Sequence, residues 1–257
     1  MTAPVLASMG GPPLIVVDSA DFDGTNDYIT RGAGLTGAAD SKTGILSFWL
    51  RLDGGDGSTQ IILNGNSAVG GNSANEVFSV FRHSSNNLQI FGKNAAGLGR
   101  LHMQTSGTLL AGSAWNHVFA AWDLASIPAA GLYINGLSDE SLTIYTDDSL
   151  DYTNADWAIG AYPGGTIKLN GVIAELYFAP GQWINPNIVA NRRLWRSSSG
   201  KPVYLGPTGA GPTGTAPLVY QSLADGEAVA NFATNRGTGG NFTITGTLDT
   251  ASSSPSD

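Results

Sequence analysis

Three observations in this 257-residue sequence predict an all-β sandwich. Charged residues make up only 12% of the chain, and glycine supplies 35 positions. That balance suits short strands and tight turns better than helices, whose exposed faces draw on Glu, Lys and Arg. Apolar residues recur at alternate positions in short runs, and Gly/Asn/Ser clusters such as NGNSAVGGNSAN and GKNAAGLG separate those runs. A chain of this length can bury a sizeable core, and sandwiches often use it for one domain.

Residues 1–13 are rich in Pro, Gly and small side chains and predict an extended arm. A β-branched run at 14–18 precedes residues 21–31, which turn at Gly24. In residues 44–52 one alternating set, Leu46, Phe48, Leu50 and Leu52, is uniformly apolar and should face the core; the other, Ile45, Ser47, Trp49 and Arg51, is mixed. Further strands are expected at 60–63, 77–81, 88–91 and 100–103. In residues 115–124 both sets are apolar, so that strand should be covered on both sides. Pro128 cannot donate to a ladder and ends it. A short strand at 132–134 then leads into Asn135-Gly136, a pair that tolerates the positive φ of a type I′ turn and predicts a hairpin. Strands at 142–145, 155–161 and 171–178 follow, the first two separated by an acidic loop.

One helix is expected over residues 186–198, with Asn185 as its cap, Pro186 in its first turn and a partial stripe of Ile188, Val189, Leu194 and Trp195. Arg192, Arg193 and Arg196 lie toward its C-terminal end, where positive charge complements the helix dipole. A solvated face outweighs an anion site there. Residues 201–217 carry glycines at 206, 209, 211 and 214, which break a strict triplet register, so an extended linker is expected in place of a collagen helix. Strands at 218–221 and 242–247 and a polar tail at 251–257, expected to be disordered in isolation, complete the chain. Whether these strands join the sandwich or form a separate unit stays open.

The strand Trp115-Asn116-His117-Val118, Asp123, and Leu132-Tyr133-Ile134-Asn135-Gly136 together resemble the central signature of laminin G-like domains, members of the concanavalin A-like lectin/glucanase group. Phe22-Asp23-Gly24-Thr25-Asn26-Asp27-Tyr28 is similar to their opening strand pair, and Ile173-Ala174-Glu175 to their closing strand. The resemblance implies a two-sheet antiparallel jelly-roll sandwich over residues 14–200, with 22–30 paired to 172–178, and a C-terminal β extension over 201–257. It implies no function, since the fold hosts lectins, glycosidases and interaction modules. Residues 201–206, 212–220, 235–248 and 253–256 are similar to the tail of laminin G-like proteins encoded among tailed-bacteriophage structural genes.

A net charge of −8 without a dense Lys/Arg block argues against nucleic-acid binding. With no cysteine, disulfides and thiolate metal sites contribute nothing. No apolar run is long enough for membrane insertion, and the N-terminal residues do not read as a signal peptide, so synthesis in a bacterial host cytoplasm is expected. Glycoside hydrolysis needs two carboxylates at a set separation, and Glu76, Glu140, Glu175 and Glu227 match no Glu-x-Asp-x-x-Glu strand. His83, His102 and His117 lack zinc spacing, and His117 reads as structural. Laminin G-like domains often hold calcium at one rim, which makes Asp53, Asp56, Asp123, Asp147, Asp148 and Asp151 candidate ligands, although turn roles are favoured. Tyr145, Tyr152, Trp157, Tyr162 and Trp183 are candidate glycan platforms.

The reading these features support is a non-enzymatic phage virion protein that decorates the capsid or tail. Its arms would bind capsid or tail proteins or form a homo-oligomer, for which a trimer fits, and it would sit on the virion surface. The alternative is a receptor-recognition tail protein that binds host-surface glycans; a glycoside hydrolase ranks third.

Overall fold

The computed structural model describes residues 13–112, 114–126 and 130–257. Apart from Pro13, the expected N-terminal arm lies outside the described residues, and so does the turn at Pro128. The all-β expectation is met. In chain order the strands begin with β1 (Val17–Asp18), β2 (Ala20–Asp23), β3 (Tyr28–Thr30), β4 (Thr43–Leu52), β5 (Gln60–Asn66), β6 (Glu76–Arg82), β7 (Leu88–Lys93), β8 (Gly99–Gln104) and β9 (Asn116–Asp123). They continue with β10 (Ala130–Ile134), β11 (Leu137–Ser138), β12 (Ser141–Tyr145), β13 (Asp156–Ile159), β14 (Asn170–Pro180), β15 (Val219–Gln221), β16 (Leu223–Ala224), β17 (Thr243–Thr245) and β18 (Asp249–Thr250).

Two antiparallel sheets form the sandwich. The first runs β11-β10-β9-β4-β14-β2-β18, with β15 also on β14; the second runs β12-β8-β7-β6-β5-β13-β3-β17. The uniformly apolar set of β4 faces the core between them, together with Val118, Ala120 and Trp122 of β9. Phe78 sits among four other aromatic rings there, with centroids 5.0 Å from Phe178, 5.7 Å from Tyr152 and 6.0 Å from both Trp122 and Trp157. Such pairs add about 0.5–1.5 kcal/mol each beyond area burial.

The mixed set of β4 has its explanation on the reverse face of the first sheet. Ile45 joins Phe119, Ala121, Tyr133, Tyr177, Trp195 and Tyr220 in a second apolar cluster. Ser47 Oγ lies 2.9 Å from His117 Nε2, and the His117 ring packs 4.8 Å from Trp49. The strand at 116–123 is therefore covered on both sides, as its doubled apolar pattern requires. Asn135 and Gly136 have φ of 54° and 83°, the positive values of the expected hairpin turn.

Three expectations are corrected and one open question is answered. Only Ala20–Asp23 pairs with the closing strand, through Phe22 opposite Gly171, whereas Tyr28–Thr30 crosses to the second sheet and pairs with β13. Gly24 makes that crossing at φ 75°.

The expected helix shrinks to one turn, α1 (Val189–Arg192). β-Branched Ile188 and Val189 propagate a helix poorly, and Trp195 must turn into the second cluster, where it is 2% exposed. Asn185 caps the preceding turn, its Oδ1 accepting the Asn187 N–H at 3.0 Å.

Residues 201–217 are folded back in place of an extended linker. Val203 and Leu205 are buried, and the Gly211 N–H donates to the Leu205 carbonyl at 2.8 Å. A Cβ on Gly211 would stand 2.7 Å from that same carbonyl oxygen, so the close approach requires glycine.

Finally, the C-terminal strands complete both sheets, β15 on β14, β18 on β2 and β17 on β3. The polar tail is also ordered: Ser253 accepts from the Ser19 hydroxyl through its carbonyl and from Arg51 and Trp115 through Oγ.

Candidate functional site

The second sheet presents an outward face built by simple alternation. Phe78, Val80, Leu88, Ile90, Leu101 and Met103 point into the core, so their neighbours Ser79, Phe81, Gln89, Phe91, His102 and Gln104 point away. Register sets these in rows across the strands. Ser79 lies opposite Phe91, Phe91 opposite His102, and His102 opposite Ile144; Phe81 lies opposite Gln89 and Gln89 opposite Gln104.

Phe81, Phe91 and His102 are half-buried, leaving part of each ring on the surface. The Phe91 and His102 rings meet edge to face at 5.9 Å. Gly99 keeps that end open for them, since a Cβ there would lie 3.3 Å from the Phe91 ring.

Polar groups lock the face. Gln89 Oε1 can only accept, so the His102 proton sits on Nε2, 3.0 Å away, and Nδ1 is left as an acceptor. Gln89 Nε2 donates to Gln104 Oε1 at 3.3 Å and to Asn87 Oδ1 at 3.2 Å. Burial, and to a lesser extent the nearby His83, hold His102 below the usual imidazole value, so it is neutral at neutral pH. Lys93 Nζ lies 5.5 Å over the Phe91 ring and donates to the Glu76 carbonyl at 2.7 Å. Two partly exposed phenyl rings, a neutral imidazole and two linked amides thus share one strip.

The aromatic residues singled out in the sequence do not gather there. Tyr152 and Trp157 are wholly buried in the core, and Tyr162 is 7% exposed with its hydroxyl donating to Glu76 Oε2 at 2.6 Å. None of these three offers a ring face for stacking, which corrects that expectation. Tyr145 packs on the main core and donates to the Asp123 carbonyl, and burial pushes its hydroxyl up to about 12. Trp183 packs against the second cluster, on the other sheet.

Residues 23–181, more than half of the chain, match the family model described as the concanavalin A-like lectin/glucanases superfamily. The chain belongs to that superfamily. Among solved structures it is similar to a "putative carbohydrate binding protein" of Bacteroides ovatus, at 15% identity and a TM-score of 0.56. That alignment covers 94% of this chain and 62% of the other. It is also similar to a heptameric SAP-like pentraxin of Limulus polyphemus (13% identity, TM-score 0.48, 68% and 81% covered). Domains LG4-5 of the mouse laminin alpha1 chain align at 15% identity and a TM-score of 0.42, with 73% and 48% covered. The chain thus spans under two thirds of the length of the Bacteroides protein, and identities this low show the fold alone. No curated protein matches the sequence.

In this superfamily member the six aspartates proposed for calcium do not converge. Asp53 takes a two-pronged contact from Arg51 at 2.8 and 3.0 Å, and Asp56 pairs with buried Arg82 at 2.6 Å. Asp147 pairs with Lys42 at 2.7 Å, and Asp148 with Arg100 at 2.8 Å. Asp123 and Asp151 cap turns through the N–H groups of Ala125 and Thr153. Among the described residues no three His, Cys, Asp or Glu side chains are grouped to hold a metal ion. Oxygens already facing cations and N–H donors do not fit a calcium site, and the turn roles account for them.

The glutamates are equally separate. Glu76 receives Tyr162, Glu140 the Leu132 N–H, Glu175 the Tyr220 and Ser222 hydroxyls, and Glu227 the Arg236 guanidinium. Among the described residues no helix is long and apolar enough to cross a membrane.

Proposed function

We propose that this chain is a non-enzymatic, lectin-like module that binds carbohydrate along the Phe81, Phe91 and His102 strip. The observation that carries this reading is the joining of half-exposed aromatic rings to a fixed imidazole and amide network on one sheet face. A sugar offers an apolar C–H face and a rim of hydroxyls; the rings suit the first, and His102 Nδ1 with the Gln104 amide suits the second, while buried Gln89 holds both in place. The carbohydrate binding named for the Bacteroides ovatus protein agrees in ligand class.

A glycan array with the purified protein should give saturable hits. Phe91→Ala and His102→Ala should each weaken binding about tenfold, near 1.4 kcal/mol, with the melting temperature little changed. A blank array, or hits indifferent to both variants, overturns the reading.

A tailed-phage virion is the setting favoured by the sequence of residues 201–256, which is similar to the tails of phage structural proteins. In that setting the module decorates the capsid or tail, is made in the host cytoplasm, and has capsid or tail proteins or further copies of itself as partners. Quantitative mass spectrometry of purified virions separates the versions: many copies per particle for decoration, few for receptor recognition. Absence from particles refutes both.

A further inference from the structure

The other sheet carries a different kind of site on its reverse face. A cavity of about 130 Å³ opens there, lined by His117, the Asn135-Gly136 turn, Arg192, Arg193 and Arg196. We infer that it binds a tetrahedral oxyanion, a phosphate or sulfate group, held chiefly by Arg193 and Arg196 with Arg192 and the Asn135-Gly136 turn as walls.

The first argument is charge. These three arginines come from a total of 12 Lys and Arg in a chain of net charge −8, yet among the described residues no carboxylate pairs with them. Among the described residues the ion pairs engage Lys42, Arg51, Arg82, Arg100 and Arg236. Residues 1–12, 113 and 127–129 contain no Asp or Glu to supply one. Glu140, on the segment entering β12, is engaged instead by the Leu132 N–H at 2.9 Å.

The second argument is desolvation without compensation. Arg192 Nε, Arg193 Nη1 and Arg196 Nε are closed off from solvent and have no acceptor among the described residues. Burying charged donors without acceptors is costly, and crowding like charges adds to the cost. The three side chains remain partly exposed, and an anion in the cavity offsets the crowding of their charges.

The third is preorganisation. Arg192 is fixed before any ligand arrives: its guanidinium lies 4.0 Å over the Tyr133 ring and donates to the Pro186 carbonyl. Burial and then Arg193 lower Arg196, and burial followed by Arg196 pushes His117 down to about 3, so the imidazole stays neutral. Planar guanidinium forks match oxyanion geometry, and two that share a cavity can grip one group from two sides.

This site lies on the opposite sheet from the proposed sugar strip and does not depend on it. Thermal melts and calorimetric titrations with sodium sulfate and sodium phosphate, against sodium chloride at matched ionic strength, test it. Sulfate or phosphate should bind saturably by calorimetry and raise the melting temperature of the unmodified protein more than that of the arginine variants, since both anions stabilise folded proteins to some extent without a site. Arg193→Gln and Arg196→Gln should each weaken binding at least tenfold, while melting in chloride at or above the unmodified protein because like-charge crowding is relieved. An equal response to chloride overturns the inference, as do variants that keep the full sulfate response. Should both variants fail to fold, the calorimetric titration of the unmodified protein still decides, because sulfate and phosphate raise melting temperatures without a site but give saturable heat only with one. A sulfated monosaccharide binding more tightly than free sulfate assigns the group to a saccharide; equal or weaker binding assigns it to the free ion.

Discussion

Glu175 shows how much one residue can hold. It sits in β14 where the pairing with β4 slips between Ala174 and Tyr177, and its φ of 51° is unusual for a residue with a side chain. The bulge brings its carboxyl, 4% exposed, to the hydroxyls of Tyr220 and Ser222 near the C-terminal strand. Burial raises it to about 7, against the donated hydrogen bonds and the more distant Arg236. A raised folded-state value means the folded protein binds the proton more tightly. Its contribution to stability is therefore full below the unfolded value of about 4.5 and is lost as pH rises through about 7. Across that window the unmodified protein should lose on the order of 3 kcal/mol relative to Glu175→Gln. Urea unfolding of both proteins at pH 4.5, 6 and 8 checks this, and parallel curves would contradict it.

The candidate strip was legible at this same scale and was missed. Phe81, Gln89, Phe91, His102 and Gln104 occupy the outward set of strands whose inward set is plainly apolar, so period-two counting alone places them together. Tyr145, Tyr152, Trp157, Tyr162 and Trp183 instead stand near Asn and Asp residues, which mark loops and say nothing of which way a ring points. Trp157 shares its alternating set with Ile159, and both point inward.

At the scale of elements, the least legible part was the C-terminal quarter. Its Gly- and Pro-rich composition resembles a linker, yet Val203, Leu205, Val219, Leu223, Phe232 and Leu248 are all buried. Composition averages over such spaced anchors and hides them. The helix was over-extended for a related reason: a partial apolar stripe fits one turn followed by a bend as well as it fits a continuous helix.

Because β17 and β18 are edge strands of the two different sheets, removing residues 243–257 uncovers β3 and β2 and exposes the pocket of Leu248. The truncated protein should lose on the order of 5 kcal/mol and aggregate through its bared edges. Chemical denaturation and light scattering measure both. Equal stability would mean these strands only ornament the sandwich.

For the molecule as a whole, the fold class was the most legible property, because alternation, turn clusters and the Asn135-Gly136 hairpin all point the same way. The topology was less so. Nothing local told Tyr28–Thr30 to leave the sheet that Ala20–Asp23 had joined, since that choice is made by packing across the core. Phe78 is where the packing concentrates, touching rings from both sheets. Phe78→Ala should cost about 3–5 kcal/mol, read as a fall in denaturation midpoint with an unchanged slope. A loss below 1 kcal/mol would show that the core closes over the gap.

The ordered tail also fixes how the sandwich can be carried. The Ser256 hydroxyl accepts from the Val17 N–H at 3.0 Å and donates to the Ile15 carbonyl at 3.3 Å. The two ends of the described fold are thus stitched side by side, and chain leading to or from either one departs from the same corner. Whatever surface such chain engages, both attachments leave the described fold at one corner and not at opposite ends.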